Sequence, residues 1–350
     1  MPASTAPSPI DQHTMRYVRV DPADRAAVVA AVELGNAAKA VDDPDDWPET
    51  PELAARWLTY GWDLHPEERY LCYPGEATEP VAVLDLELPR RDNLHLVWAS
   101  ITVHPDHRRQ GHGSAVLEEV TRRARAEGRT TIWLGTAEDD AGSRAFLERH
   151  GFAYASHDAR RRQVLAEVDD EAVERLRGSA REAAAGYQLE RYVPPIADDV
   201  LADLVEVTEA INDAPMGDLT FEDEKFDVDR LRDIETAREG RGDRVYRMAA
   251  RHRSTGRLGG HTLVVVNPLR PTRAGQGDTA VHRDHRGNRL GLLLKIEMMR
   301  WLAETEPQIE VIETWNHADN RYMIDVNEAI GYRLSRVFAV YERNLSPDEA

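Results

Sequence analysis

The chain has 350 residues, 41% of them hydrophobic, and a formal net charge of −19. That length allows two domains of ordinary size, and that apolar share is enough for real cores. The acidity excludes a nucleic-acid backbone as the main partner, because phosphate binding needs a basic face, and it is compatible with a cationic acceptor such as an amine. The single cysteine, Cys72, excludes an internal disulfide framework and a thiolate zinc cluster, and fits a reduced cytoplasm. Its place in the run RYLCY marks a buried strand position. Basic residues are nearly all arginine; the lysines are Lys39, Lys225 and Lys295. No stretch of about 18 apolar residues occurs, so no membrane span is expected.

Residues 1–14 have neither a charged start nor an apolar core and read as a flexible tail, not a signal peptide. A first unit is expected over 15–168. It opens with a strand over 15–20 and helices over about 22–40 and 51–60, then strands over 69–73, 81–88 and 94–103. Val116, Leu117, Val120 and Ala124 share one helix face within 114–127, and Gly128 stands where that helix should stop. A strand over 130–135 and a helix over 141–150 follow, and 152–168 reads as a closing hairpin. The polar, alanine-rich stretch 169–186 predicts a helical connector. A second unit over 187–345 repeats the order: strand 187–192, helix 196–211, strands 245–252, 259–266 and 278–281, helix 292–303, strand 309–315, helix 321–330 and a hairpin over 332–343.

The repetition extends to individual residues. His104, Asp106, His107, Arg108 and Gly113 recur 178 positions on as His282, Asp284, His285, Arg286 and Gly291, and Gly151-Phe152 recurs 180 positions on as Gly331-Tyr332. Two features at nearly one domain-sized offset indicate an internal duplication. Strands joined by short turns, with helices placed early and late, imply a mixed sheet in each half, an α+β class.

The stretch HPDHRRQGHGS (104–114) lies between a strand and a helix, where several backbone N–H groups lack partners and the helix dipole adds partial positive charge. Gly111 and Gly113 permit close backbone approach, and Arg108 and Arg109 supply cations, so the turn reads as an anion cradle suited to phosphate. A solvent-exposed turn is the plain alternative. No Gly-Lys-Ser/Thr occurs, which removes a nucleoside-triphosphate loop, and Ala115-Val116 stand where a dinucleotide fingerprint needs its third glycine. His104, His107 and His112 match no standard ligand spacing, so no metal is expected.

Arg108-Arg109-Gln110-Gly111-His112-Gly113, behind Ile101-Thr102-Val103, resembles the Gln/Arg-x-x-Gly-x-Gly/Ala signature of the GCN5-related N-acetyltransferase (GNAT) superfamily. The element order resembles that family too, and it occurs twice. The chain is therefore similar to tandem GNAT proteins such as two-domain actinobacterial acetyltransferases, each half a mixed, mostly antiparallel sheet flanked by helices. The resemblance implies acetyl-CoA as cosubstrate and direct acetyl transfer to the amine of a small molecule. It implies that Ile101 and Val103 meet pantetheine with main-chain groups while Arg108, Arg109, Gln110, Gly111, His112, Gly113 and Ser114 hold phosphate, with Arg144 nearby. The matching set in the second half is Val281, Arg286, Gly287, Asn288, Arg289, Leu290, Gly291 and Asn320. There Arg289 replaces the first signature glycine, which favours the first half as the coenzyme site.

The family's tyrosine acid, four residues before the Gly-Phe, is Leu147 in one half and Asn327 in the other, and neither can protonate a thiolate. Candidate bases are His95, Asp85 and Glu87, each with an ordinary structural role as the alternative. Trp47, Trp57, Tyr60 and Trp62 are expected either to cage an amine or simply to pack helix on sheet. The acidic segment 217–229 attracts a cation or is a solvated loop and cap. The rival function is a non-catalytic acyl-CoA sensor or scaffold with one or both halves degenerate. A cytoplasmic location is expected; the acceptor and the oligomeric state stay open.

Overall fold

Residues 14–346 are described by the structure, a computed structural model. The expected tail over 1–14 lies, apart from Thr14, outside the described residues. The first half comprises β1 (Met15–Arg19), α1 (Arg25–Asp42), α2 (Pro51–Tyr60), β2 (Glu68–Pro74), β3 (Ala82–Glu87), β4 (Leu96–Val103), α3 (His112–Ala126), β5 (Thr131–Ala137), α4 (Ala141–Arg149) and β6 (Ala153–Val164). A linking helix α5 (Asp170–Ala183) leads to β7 (Tyr187–Tyr192), α6 (Asp198–Glu209), α7 (Val228–Arg241), β8 (Arg244–His252), β9 (Leu258–Val266), β10 (Arg273–Val281), α8 (Leu290–Thr305), β11 (Val311–His317), α9 (Arg321–Ala329) and β12 (Arg333–Asn344).

All strands join one 12-stranded sheet in the order β1-β2-β3-β4-β5-β12-β6-β11-β10-β9-β8-β7. Only β4 with β5 and β10 with β11 run parallel; the other neighbours are antiparallel. The centre departs from expectation. The two predicted hairpins are single long strands, and they change places: β12 of the second half pairs with β5, while β6 of the first half pairs with β11. The polar run Arg160-Arg161-Arg162 resembles a turn in sequence, yet it lies in the ladder because acids answer it. Arg160 bonds Asp43, and Arg162 bonds Asp46 and Glu313.

Helices cover both faces. In the first half α1 and α2 bury Val28, Val32 and Leu58 against Leu71 and Val83 on one face. On the other face α3 buries Val116, Leu117 and Val120 with Leu84, Ile132 and, from the exchanged strand, Ala339 and Tyr341. Burying an aromatic side chain as completely as Tyr341 contributes about 2–3 kcal/mol. In the second half α6 and α7 pack on Ala249 and Leu258, and α8 and α5 pack on the opposite face. α7 was not expected from the sequence. Its buried face carries Arg230, Arg238 and Arg241 beside Leu231 and Ile234, so no apolar stripe announces it. It docks on α2 so closely that a Cβ on Gly240 would lie 2.4 Å from the Tyr60 ring. No helix among the described residues is long and apolar enough to cross a membrane.

Candidate active site

The two strand–turn–helix loops are built alike. His104 and His282 each accept the N–H of the aspartate two residues on, at 3.3 Å. Arg108 then folds back, donating from Nε to the Val103 carbonyl at 3.1 Å and forking onto Asp42 at 2.7 and 2.6 Å. Arg286 repeats this on the Val281 carbonyl at 3.2 Å and on Asp213. These two guanidiniums, expected to hold phosphate, are engaged as clamps that tie the loop to the end of the first helical segment of their half. The Val103 and Val281 carbonyls, expected to face pantetheine, already accept from them.

Each loop has left-handed backbone at two corresponding places, and glycine occupies a different one in each. In the first loop these are Arg109 (φ 63°) and Gly111 (φ 88°); in the second, Gly287 (φ 82°) and Arg289 (φ 52°). Arg289 therefore keeps the conformation that its missing glycine put in question, at a cost of about 1–2 kcal/mol. Its side chain turns aside to Ser179 Oγ at 2.8 Å. Neither α3 nor α8 has a side-chain cap, in contrast to α1, α2, α4, α5, α7 and α9. The first N–H groups of both helices, like those of α6, have no side-chain acceptor.

The halves differ in the strands beside these loops. β4 and β5 stay paired through Ala99 and Leu134 before diverging, and the β3–β4 ladder runs unbroken from Glu87/Trp98 to Ala82/Val103. β10 and β11 part earlier, after Gly275 and Glu313, and the β9–β10 register shifts between Gln276 and Thr279. Such a bulge re-aims the backbone and opens the sheet. The gap holds a cleft of about 630 Å³ lined in part by Asp278, Val281, Gly287, Gly291, Lys295 and Asn320. Beside the helix starts the two halves are alike: a Cβ on Gly113 would meet the Phe146 ring at 3.6 Å and Val103 at 3.8 Å, and one on Gly291 would meet Tyr322 at 3.7 Å and Thr279 at 3.8 Å.

Two residues of the cleft were not foreseen. Lys295 is 2% exposed, lies 5.1 Å from the Tyr332 ring centroid and pairs with no carboxylate among the described residues. Burial alone draws its ammonium down to about 7. The signal was present: one of three lysines in an arginine-rich chain interrupts the apolar run LGLLLKI. Asp278, beside the bulge, makes no side-chain hydrogen bond or salt bridge among the described residues, and burial raises its carboxyl above the usual range despite Arg238 and Arg247 nearby.

The remaining expected residues scatter. Ile101 is half-buried at the end of β4, Arg109 is exposed, and Gln110 turns back to the Asp106 carbonyl at 3.3 Å. His112 opens α3; burial and His107 lower its pKa. Ser114 Oγ lies 3.0 Å from His150 Nε2, and Arg144 is exposed on α4. In the second loop Asn288 bonds the His285 carbonyl at 3.0 Å and Leu290 is buried. Asn320 caps α9 through the Met323 N–H at 3.2 Å while lining the cleft. Of the candidate bases, His95 precedes β4, at the end opposite the loop, with Nε2 3.0 Å from the Thr220 carbonyl. Asp85 is paired with Arg69 at 2.6 Å. Only Glu87 faces a cavity. Three of the four aromatics stack on the protein's own arginines: Trp47 on Arg162 and Arg273, Trp57 on Arg241, Trp62 on Arg238. His157, His317 and Asp319 stand within metal-ligand reach of one another, but His317 Nδ1 already accepts the Asp319 N–H at 3.2 Å.

A duplicated strand–turn–helix with an uncapped helix start beside diverging parallel strands defines a tandem acetyltransferase fold, and the chain belongs to the GNAT family. The acetyltransferase (GNAT) family matches residues 38–152. The mycothiol acetyltransferase of Saccharomonospora viridis is 30% identical over 270 residues, 75% of this chain and 79% of that protein. Among solved structures, a tandem GNAT protein from the clavulanic acid biosynthesis pathway shares 25% identity, covers 96% of this chain and 100% of its own, and superposes with a TM-score of 0.78. A GCN5-related N-acetyltransferase from Sphaerobacter thermophilus shares the fold, at 15% identity, 97% coverage of each chain and a TM-score of 0.69. The chain is thus an acyltransferase, and its general chemistry is acetyl transfer.

Proposed function

We propose that the protein moves an acetyl group from acetyl-CoA to the amine of a small molecule by direct transfer, and that the second-half cleft is where this happens. The observation that carries the reading is the β10 bulge beside a 630 Å³ opening at an uncapped helix start. The donor supplies a thioester, the activated acyl group. The α8 N–H groups bind its diphosphate, and Arg289, turned toward Ser179, leaves the approach open. Asp278 accepts the proton that the neutral amine sheds as the C–N bond forms, a task suited to a carboxyl whose pKa is raised. Lys295 holds a proton at Nζ for the sulfur released as the C–S bond breaks, in the role that Asn327 cannot fill. Much of the rate comes from holding both reactants in register.

Thiol release from acetyl-CoA in the presence of a library of small amines tests this. Amine-dependent release, with the acetylated amine recovered in equal amount, is expected. Saturable coenzyme binding without turnover on any amine would favour the sensor reading.

A further inference from the structure

A second chamber, of about 340 Å³, abuts the cleft; Asp278 and Ile211 line both. Its walls come from both halves: Trp62 and Glu87 from the first, Thr208, Glu224, Arg238, Arg247 and His261 among others from the second. The charges there are unevenly distributed. Glu235 Oε1 accepts from Arg238 Nη1 at 3.0 Å and from Arg247 Nη2 at 2.8 Å, so one carboxylate serves two guanidiniums. Both guanidiniums are buried, 3% and 4% exposed, and the Nε of each lacks a partner. Arg247 also stands 3.1 Å from His261 Nδ1, which must accept, so the proton of this neutral, buried ring sits on Nε2, again unpartnered. Buried donors left in this way cost about 1–3 kcal/mol each, an arrangement that a bound acceptor group relieves.

At the two ends the imbalance reverses. Glu87 and Asp278 have no hydrogen bond or salt bridge through their side chains among the described residues. Glu224 has only Arg230, which it shares with Asp92. Burial and neighbouring acids raise Glu87, and burial chiefly raises Glu224, as expected of carboxylates that face too few cations. The chamber thus sets two guanidiniums that share the Glu235 carboxylate between two carboxylate ends, one of which opens into the cleft.

We propose that this chamber is the acceptor pocket and that its guest is a small diamino acid: one carboxylate held at Arg238 and Arg247, one amine at Asp278 facing the cleft, and a second ammonium toward Glu87 and Glu224. Transfer then forms the C–N bond at the neutral amine beside Asp278 and the C–S bond of the donor breaks; Asp278 takes the amine proton, and the sulfur takes one from Lys295 and leaves as the thiol. This rests on the second-half cleft being the transfer site. It also gives the first half a task, since Glu87 and Trp62 complete the pocket.

Matched probes test it: L-lysine and L-ornithine, against cadaverine and putrescine, which lack the carboxylate, and L-norleucine and L-norvaline, which lack the second amine. The diamino acids are expected to exceed both sets in kcat/KM by at least about tenfold, the worth of one buried charge-assisted contact. Arg238→Gln should remove the advantage over the diamines. Glu87→Gln, which breaks no existing bond and so leaves the fold intact, should remove the advantage over norleucine. Diamines or monoamino acids performing equally well would overturn the assignment. So would the absence of both turnover and calorimetric binding for all six probes while acetyl-CoA still binds. Loss of acetyl-CoA binding at the cleft itself would instead overturn the reading on which the proposal rests.

Discussion

At the scale of single residues, Lys295 ties stability to pH. Folding lowers its pKa from 10.5 to about 7 because burial opposes the charged form. Below pH 7 the side chain is charged in both states and the burial cost stands in full. Between 7 and 10.5 the unfolded chain keeps a proton that the folded chain has shed, so stability rises with pH across that window. Lys295→Met, close in shape and without a charge, should therefore melt at a higher temperature than the parent, with the gap widest near pH 6 and shrinking toward pH 9. Thermal melts at several pH values check this; a gap independent of pH would contradict it. Arg108 gives a second case. Its fork onto Asp42 is partly solvated, 34% and 44% exposed for the two side chains, so the pair is worth little beyond holding the strand end. Arg108→Ala should cost about 1 kcal/mol by denaturant titration and leave acetyl-CoA affinity nearly unchanged, because the guanidinium acts as a clamp and the proposed coenzyme site lies in the other half. A large loss of affinity at unchanged stability would return the guanidinium to the phosphate.

At the scale of elements, the exchanged strands are decisive. β12 supplies Ala339, Val340 and Tyr341 to the first half's core and covers the β5 edge. A fragment ending at residue 168 would lack all of this and expose an unpaired strand edge. It should fail to give a monomer with native near-UV circular dichroism; a cooperatively folding, monomeric fragment would contradict the account. This is also where the sequence was least legible. The order of strands and helices, the duplication and both loops could be read from periodicity, glycines and spacing, because those signals are local. The exchange could not, because β6 and β12 each have equivalent partners in either half, and a run of arginines looks solvated until Asp43, Asp46 and Glu313 are seen beside it. α7 was hidden for a related reason: its inward face is charged, and the acids that answer it are Glu235 within the helix, Asp243 just past its end and Asp92 from the first half.

At the scale of the whole molecule, duplication produced two loops of one design, and the structure distinguishes them by a cue other than the glycines. Arg289 in place of a glycine looked like decay of the second half, yet the first loop carries its own strained residue, Arg109, one left-handed position earlier. What separates the halves is the sheet. One ladder is continuous, while the other is bulged, opened and lined by Lys295 and Asp278. A motif reports the loop, whereas the space beside it depends on strand register, which a single sequence does not carry. In the proposed assignment the first half acts as scaffold and as the far wall of the acceptor chamber.

The most direct test places the same bulk in each loop. Gly291→Leu projects toward Tyr322 and Thr279 in the cleft, and Gly113→Leu projects toward Phe146 and Val103 in the first half. With folding of both variants verified by circular dichroism, kcat/KM for acetyl-CoA should fall by at least ~100-fold in the first variant, the cost of misplacing a reactant by about 1 Å, and change little in the second. The opposite pattern, with Gly113→Leu inactive and Gly291→Leu nearly unaffected, would contradict the assignment of acetyl transfer to the second-half cleft.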